Sequence, residues 1–300
     1  MQRKLYRAPT LCGLILVMAA VAFARMAEEN KTVEAPFSFA SGDVVLQVKI
    51  KGKGPYNMVL ATGYPVSKIS AGVVEEMKIL GRYSIASEGL LAGYVFWYDV
   101  PDIQVGELKV GTVTMNTGDF SNLSQRLGLT VHGVLGFDFL KRRVVQLDYP
   151  RGVIRFLRAP TRPEVTQSEG ADTSVTAKRA VVPMSTEAPV TVIGEVYVNG
   201  KKLKALLDTS QGGSLALTPA ALKYLRLSIP AEKSPPRIGA VDAFSIGTMS
   251  LAATEVTYLP KDAATNITLG MYGGIIGNDL LSHYMVTLDY PRHTVTFEQP

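Results

Sequence analysis

The chain has 300 residues, of which 47% are hydrophobic and 19% are charged, so it can bury one large core or two medium ones. This length and composition exclude a small disulfide scaffold and a disordered tail. The formal net charge is +5, but three basic residues lie before position 25, and the remaining 28 basic residues are nearly balanced by 26 acidic ones. A body so close to neutral, with no basic run, lacks the electrostatic footprint of a nucleic-acid-binding protein.

Residues 1–24 are predicted to be a signal peptide. Arg3, Lys4 and Arg7 precede an apolar run over residues 11–24, and Ala22 and Ala24 offer the small side chains of a cleavage site. The run is shorter than the roughly 20 residues of a membrane-spanning helix, although an uncleaved membrane anchor remains the alternative. The sequence therefore predicts an exported protein, periplasmic or secreted. Its only cysteine, Cys12, would leave with the peptide, so no disulfide or cysteine-ligated metal is expected in the mature chain.

The next segment reads as a β-rich lobe over residues 36–157. Ser70 is a suitable N-cap for a short helix over residues 70–79. The alternating and β-branched runs predict strands over residues 44–50, 59–60, 103–115, 144–148 and 153–157.

A polar stretch rich in Thr, Ser, Pro, Glu and Lys, residues 158–180, is predicted to be a linker to a second lobe over residues 181–300. Thr218 and Pro219 predict the start of a helix ending at Leu225, and Asn199-Gly200 predicts a hairpin turn. Strands are expected over residues 190–198, 206–207, 244–259, 284–289 and 294–298.

The two lobes are internal repeats. Residues 132–156 and 273–297 are identical at 11 of 25 positions without a gap, including Leu-Asp-Tyr-Pro-Arg at 147–151 and 288–292. The spacing between the copies is 141 residues here, but it is 147 between residues 58–63 (MVLATG) and 205–210 (ALLDTS). The first copy is therefore six residues longer between Gly63 and Val105. Repeats of this size predict two lobes, since solenoid periods are much shorter.

The repeated pattern resembles the aspartic proteases, and most closely two-lobed bacterial proteins of the retropepsin-like type. The second lobe carries Leu206-Leu207-Asp208-Thr209-Ser210 and, later, Ile275-Ile276-Gly277. The first lobe carries Leu60-Ala61-Thr62-Gly63 and Val134-Leu135-Gly136. The resemblance implies a mainly β fold of two homologous β-barrel lobes with short helices.

The resemblance also assigns roles to the two turns. Each lobe of such a protease supplies one aspartate, and the two share a proton because adjacent like charges cannot both ionise. The following threonines, Thr62 and Thr209, are expected to hydrogen-bond across the pseudo-twofold axis. Here Asp208 is the one catalytic aspartate, because Ala61 replaces its partner. Without a partner, the pKa of Asp208 should stay near about 4 unless the carboxyl is desolvated. The glycine that usually follows the threonine is present in lobe one as Gly63, and in lobe two it is replaced by Ser210.

The six extra residues fall where this family has a flap hairpin over its substrate cleft. Residues 87–98 contain two glycines and the aromatic residues Tyr94, Phe96, Trp97 and Tyr98. Tyr94, Phe96 or Trp97 is expected to lie over an extended peptide, while at least two of the four aromatics should fill the core.

The resemblance thus predicts a protein that acts on or binds extended peptides or unfolded protein, with doubtful peptidase activity. Three alternatives stay open: a pseudoprotease that binds without cleaving, an endopeptidase active only as a homodimer through Asp208, and a structural protein with a closed cleft. The homodimer is disfavoured because the linked first lobe occupies the partner surface. No metal or cofactor is expected, since no zinc or phosphate-binding motif is present. Loop positions are expected for His132, His283 and His293, and turn or capping roles for Asp138, Asp279, Asp148 and Asp289.

Overall fold

The computed structural model describes residues 32–86, 93–157, 178–185, 188–227, 237–241, 243–251, 254–258 and 272–300. The predicted signal peptide and nearly all of the predicted linker lie outside these residues. Lobe one contains strands β1 Val33–Ala40, β2 Asp43–Ile50, β3 Lys53–Leu60, β4 Lys68–Ile69, β5 Gly81–Ala86, β6 Gly93–Val105, β7 Leu108–Thr117, β8 Gly133–Leu135, β9 Val144–Asp148 and β10 Val153–Leu157. Lobe two contains β11 Arg179–Ser185, β12 Val192–Val198, β13 Lys201–Leu207, β14 Leu215–Leu217, β15 Arg237–Val241, β16 Phe244–Ile246, β17 Met249–Leu251, β18 Thr254–Tyr258, β19 Gly274–Ile276, β20 Met285–Asp289 and β21 Thr294–Glu298. The helices are α1 Ala71–Glu76, α2 Ser121–Leu127, α3 Phe137–Leu140, α4 Pro219–Leu225 and α5 Asn278–Leu281.

The two lobes repeat one topology, which confirms the mainly β, two-lobed prediction. In lobe one, β3 and β8 are parallel, β4 and β7 are parallel, and β4 and β8 are antiparallel. In lobe two, β13 and β19, β14 and β18, and β14 and β19 repeat those three pairings with the same directions. The parallel partner strands carry the turns at Ala61 and Asp208 at their ends, so the topology delivers both turns to equivalent places.

A six-stranded antiparallel sheet joins the lobes. Its order is β1, β10, β9, β20, β21, β11, and β9 of lobe one pairs with β20 of lobe two over five residue pairs. The repeated Leu-Asp-Tyr-Pro-Arg motif begins on these two central strands. Leu147 and Leu288 are fully buried there within one continuous hydrophobic core that draws residues from both lobes. The duplicated motif therefore builds the join between the lobes.

Local sequence signals explain where several elements begin and end. Ser70 and Thr218 cap α1 and α4 by accepting the backbone N–H of Val73 and Ala221, as predicted. The first helix is shorter than expected because Lys78, with a φ of 50°, cannot continue it. The Asn199-Gly200 turn has positive φ at both residues, which a two-residue hairpin of this kind requires.

Two predicted long strands are wrong because equivalent glycines turn the chain. Gly106 and Gly247 have φ values of 57° and 56°, so the chain turns between β6 and β7 within residues 103–115 and between β16 and β17 within residues 244–259. The linker boundary also moves, because β11 begins at Arg179 and pairs with β21. Among the described residues, no helix is long and apolar enough to cross a membrane.

Candidate functional site

The two repeated turns meet and are joined by a reciprocal hydrogen-bond grip. The Oγ1 of Thr62 donates to the carbonyl of Leu207 at 2.6 Å and accepts the backbone N–H of Thr209 at 3.1 Å. The Oγ1 of Thr209 donates to the carbonyl of Leu60 at 2.6 Å and accepts the N–H of Thr62 at 3.3 Å. Both threonine side chains are fully buried. The grip therefore holds the lobes in register at the pseudo-twofold axis, as the sequence predicts.

Ala61 and Asp208 occupy equivalent backbone positions on either side of this grip. The N–H of Ala61 donates to Leu135 at 2.9 Å, and the N–H of Asp208 donates to Ile276 at 3.0 Å. Leu135 and Ile276 are themselves equivalent in the repeat. The two turns are therefore equivalent in their backbone contacts and differ in side chain, with a methyl group at position 61 and a carboxylate at position 208.

The Asp208 carboxylate is buried and heavily hydrogen-bonded. Its Oδ1 accepts the N–H of Ser210 at 2.9 Å and the Ser210 hydroxyl at 2.7 Å. The N–H of Gly63 also bonds to the carboxylate, and a Cβ at Gly63 would lie only 2.6 Å from Cγ of Asp208. Position 63 therefore admits only glycine without movement of the aspartate.

Burial raises the pKa of Asp208 above its ordinary value, while hydrogen bonds from Ser210 and Gly63 lower it and only partly offset the burial. The sequence predicts an ordinary pKa for Asp208 unless its carboxyl is desolvated, and the carboxyl is indeed buried. Its pKa is thus raised by burial and not by a second carboxylate at position 61.

Ala61 belongs to a small apolar cluster of lobe one. It is fully buried with Val45, Val59, Phe120 and Val134. Such surroundings favour a methyl group and would penalise an ionised side chain. Position 61 is consequently an apolar site, in contrast to the hydrogen-bonded carboxylate at position 208.

Sequence reasoning missed Asn278, which braces the Asp208 turn. Its Nδ2 donates to the carbonyls of Thr209 at 2.6 Å and Gly42 at 2.7 Å, and its Oδ1 accepts the hydroxyl of Tyr149 at 2.6 Å. Position 278 is the repeat equivalent of Phe137. The polar residue in place of an aromatic one was the sequence feature that could have pointed to this contact. One buried amide thereby ties the Asp208 turn to lobe one.

Sequence reasoning also missed an ion pair beside the same turn. Asp43 is fully buried, and its Oδ2 accepts from Nη1 of Arg126 at 2.5 Å. The segment that contains Asp43 touches the Asp208 turn, because the N–H of Val44 donates to the carbonyl of Thr209 at 3.4 Å. Burial raises the pKa of Asp43, Arg126 lowers it, and the charge of Asp208 raises it further. The pair therefore lies within electrostatic reach of Asp208.

Tyr64 lies in the same electrostatic field. Burial raises the pKa of its hydroxyl, and the charges of Asp208 and Asp43 add to the shift. Tyr64 is 37% exposed, and together with Ser210 it lines a cleft of about 400 Å³.

The expected flap begins as a real hairpin, with Gly81–Ala86 of β5 paired to positions 93–98 of β6. Residues 87–92, between these two strands, lie outside the described residues; the shorter lobe-two equivalent, expected near residues 237–242, contains β15, which pairs with β18. Tyr94 is on β6, opposite Ile85.

The hairpin separates Phe96 from Trp97. Phe96 lies on the same face as Tyr98, which packs against the lobe core, and its ring is 6.4 Å from the ring of Tyr83. Phe96 is 50% exposed and Tyr83 is 67% exposed. This face of the hairpin is therefore apolar: it packs on the core at Tyr98 and is partly exposed at Phe96 and Tyr83.

Trp97 projects from the opposite face of the strand, as alternation requires. Its indole N–H donates to the hydroxyl of Ser84 at 2.9 Å, and the Arg82–Asp99 ion pair lies on the same face. The face that carries Trp97 is therefore more polar than the face that carries Phe96.

The repeated aspartates make turn contacts, as expected. Asp138 accepts the N–H of Ser67, and Asp279 accepts the N–H of Gly213. Asp148 and Asp289 each accept the N–H of the arginine three residues later. His132 is a loop residue whose Nδ1 accepts the N–H of Asn57 at 3.0 Å, and burial lowers its pKa.

Comparison with solved structures identifies the fold. The aspartic proteinase from Irpex lacteus superposes with a TM-score of 0.53 over 90% of this chain and 97% of its own, at 11% sequence identity. The protein therefore has the two-lobed fold of the aspartic proteinases. No protein-family model matches the sequence, and no curated protein matches it.

Proposed function

We propose that this protein is a two-lobed, retropepsin-like relative of the aspartic proteases that binds extended peptide segments without cleaving them. The observation that carries the proposal is the contrast between the two equivalent positions at the grip. Asp208 retains a buried carboxylate bonded to Ser210, whereas Ala61 presents a methyl group in an apolar cluster. The scaffold of the site is retained, and half of its acid–base chemistry is absent.

Peptide binding is supported by features that do not need the second carboxylate. An extended peptide binds mainly through backbone hydrogen bonds and alternating side-chain pockets. The exposed Tyr83 and Phe96 rings provide apolar surface on the hairpin, and a cleft of about 400 Å³ lies beside Ser210 and Tyr64. These features also argue against a purely structural protein whose cleft is closed by side chains.

Cleavage through a shared proton is disfavoured by the chemistry of a single carboxyl. In the two-carboxyl mechanism, the ionised member takes a proton from water while the neutral member donates one to the peptide oxygen. Asp208 can hold only one of these states at a time. Asp43 is also near, but it is fully buried and paired with Arg126.

The homodimer alternative would place Asp208 of two chains together. It requires each second lobe to release its grip, because Thr62 of the same chain already occupies both the N–H and the hydroxyl of Thr209. Breaking those buried contacts would cost free energy twice in each dimer. The linked first lobe is therefore the favoured partner.

The test restores the missing carboxylate. Ala61→Asp should create a proton-sharing pair with Asp208 and give cleavage of unfolded protein with an acid optimum between pH 3 and 7, whereas the wild type should give none. Ala61→Asn is the matched control, since it adds a similar volume without an acid. Products are identified by mass spectrometry in samples shown to be folded by circular dichroism.

Two outcomes would contradict the proposal. Cleavage by the wild type that disappears in Asp208→Asn would show that one carboxylate suffices or that chains pair. Folded Ala61→Asp that binds peptides but does not cleave them, even when combined with Ser210→Gly, would show that positions 61 and 208 do not face each other productively.

A further inference from the structure

The cleft beside Ser210 carries two cationic side chains. Its volume is about 400 Å³, and its walls include the apolar residues Val59, Phe120 and Leu123 together with Lys68 and Arg126. Ser210 at its edge bonds directly to Asp208. A side chain in this cleft would therefore belong to a peptide whose backbone passes the Asp208 turn.

Arg126 has hydrogen-bond donors left over for a ligand. Its Nη1 donates to Asp43 at 2.5 Å and to the carbonyl of Ser41 at 3.4 Å, while Nε and Nη2 bond to no described residue. The side chain is 46% exposed. Because a guanidinium has five N–H donors in a fixed fork, the Nε–Nη2 edge can donate two parallel hydrogen bonds to a carboxylate. Asp43 thus acts as a positioning residue that fixes one end of the fork.

Lys68 adds a second positive charge. It is half-buried on β4, its ammonium lies 6.0 Å from the centre of the Tyr64 ring, and it forms no ion pair within the described part of the chain. Arg126 is paired with Asp43, whereas Lys68 has no ion-pair partner among the described residues.

Asp119, an acidic residue on the same wall, already accepts hydrogen bonds from Ser121. Its Oδ1 accepts the N–H of Ser121 at 2.9 Å and the Ser121 hydroxyl at 2.6 Å. These bonds lower the pKa of Asp119, whose side chain is exposed to solvent. Lys68 and the Nε–Nη2 edge of Arg126 are consequently the donors that the cleft offers to an anion.

We infer that this cleft is a specificity pocket for an acidic side chain, Asp or Glu, of the bound peptide. The inference rests on the proposed peptide binding and specifies that the bound peptides carry an acidic residue at one position. The carboxylate would bond to the Nε–Nη2 edge of Arg126 and lie near the Lys68 ammonium, with its methylene groups against Phe120 and Leu123.

The experiment compares fluorescein-labelled eight-residue peptides that carry a single Glu or the matched Gln at each position in turn. Fluorescence anisotropy gives the Kd for the full chain and three variants. Lys68→Met removes the cation that forms no ion pair, and Arg126→Lys keeps a counterion for Asp43 but loses the planar fork. Lys49→Met, on the exposed side of β2, is the matched control for a lost surface charge.

At one peptide position, Glu should bind the wild type at least about tenfold more tightly than Gln, the range of charge-assisted hydrogen bonds. This preference should fall below about threefold in folded Lys68→Met and Arg126→Lys and persist in Lys49→Met. Gln peptides that bind as tightly as Glu peptides at every position would overturn the inference and leave the proposed function standing. A Glu preference that survives in both pocket variants would also overturn it. Failure of all peptides to bind would instead reject the proposed function and the inference together.

Discussion

The grip threonines give the sharpest prediction for stability. Thr62→Val keeps the β-branched shape and nearly the same volume, so it opens no cavity, but it removes the buried hydroxyl. The carbonyl of Leu207 and the N–H of Thr209 would then lose the partner that lies 2.6 and 3.1 Å away, respectively.

The magnitude follows from these two groups. A buried backbone group left without a partner costs about 1–3 kcal/mol. Allowing for the apolar burial gained by the new methyl, Thr62→Val should lower the free energy of unfolding by about 3 kcal/mol. Thr209→Val orphans the equivalent pair, Leu60 and Thr62, so its cost should agree with that of Thr62→Val within about 1 kcal/mol.

Urea unfolding, followed by circular dichroism and by the fluorescence of the single tryptophan, measures these costs. Thr114→Val is the control, since its hydroxyl bonds to exposed Asp99 and its loss should change stability by no more than about 0.5 kcal/mol. A cost below about 1 kcal/mol for both grip variants would refute the reasoning, because the grip would then contribute no more than a surface contact.

Three further predictions concern charge, the hairpin and the brace. Because burial raises the pKa of Asp208, the folded state binds its proton more tightly than the unfolded state, and its contribution to stability falls as pH rises from about 4. The melting temperature of Asp208→Asn relative to wild type should therefore rise between pH 4 and 7, and a difference independent of pH would contradict the burial effect. Phe96→Ala should weaken peptide binding by about tenfold, as for a buried aromatic contact, while Trp97→Phe should leave the Kd nearly unchanged; the reverse order would place the opposite face of the hairpin over the peptide. Asn278→Ala should destabilise the fold more than Tyr149→Phe in the same urea assay, since it leaves the Gly42 carbonyl and the Tyr149 hydroxyl without this partner and leaves the Thr209 carbonyl with only the Val44 N–H, whereas Tyr149→Phe affects only the Asn278 Oδ1; equal losses would show that the contacts to Thr209 and Gly42 contribute little.

Much of the fold could be predicted from the sequence because the sequence contains two copies of the same lobe. The spacing between the copies pairs Ala61 with Asp208 and Thr62 with Thr209, and the hydrogen bonds of the structure follow that pairing. The repeat also contains equivalent glycines at 106 and 247, but a glycine within a β-branched run does not by itself reveal a positive φ, and the turns there were missed.

The contacts around Asp208 could not be predicted, because they depend on residues that break the repeat. Asn278 has an aromatic counterpart, and the Asp43–Arg126 pair joins residues 83 positions apart. Neither contact has a periodic signal in the chain. The alternation of strand β6 does imply that Phe96 and Trp97 face opposite ways, but which face is apolar depends on how the strand packs on the core.

The central claim, that the cleft holds peptides and leaves them intact, is tested most directly by recovering what the wild type binds. A pool of extended peptides is equilibrated with the full chain at pH 4 and pH 7, the complex is separated by gel filtration, and the released peptides are sequenced by mass spectrometry. Bound peptides are expected to be enriched over the pool and recovered at full length at both pH values. Recovery of cleaved peptides whose formation stops in Asp208→Asn, or no enrichment of any peptide, would contradict it.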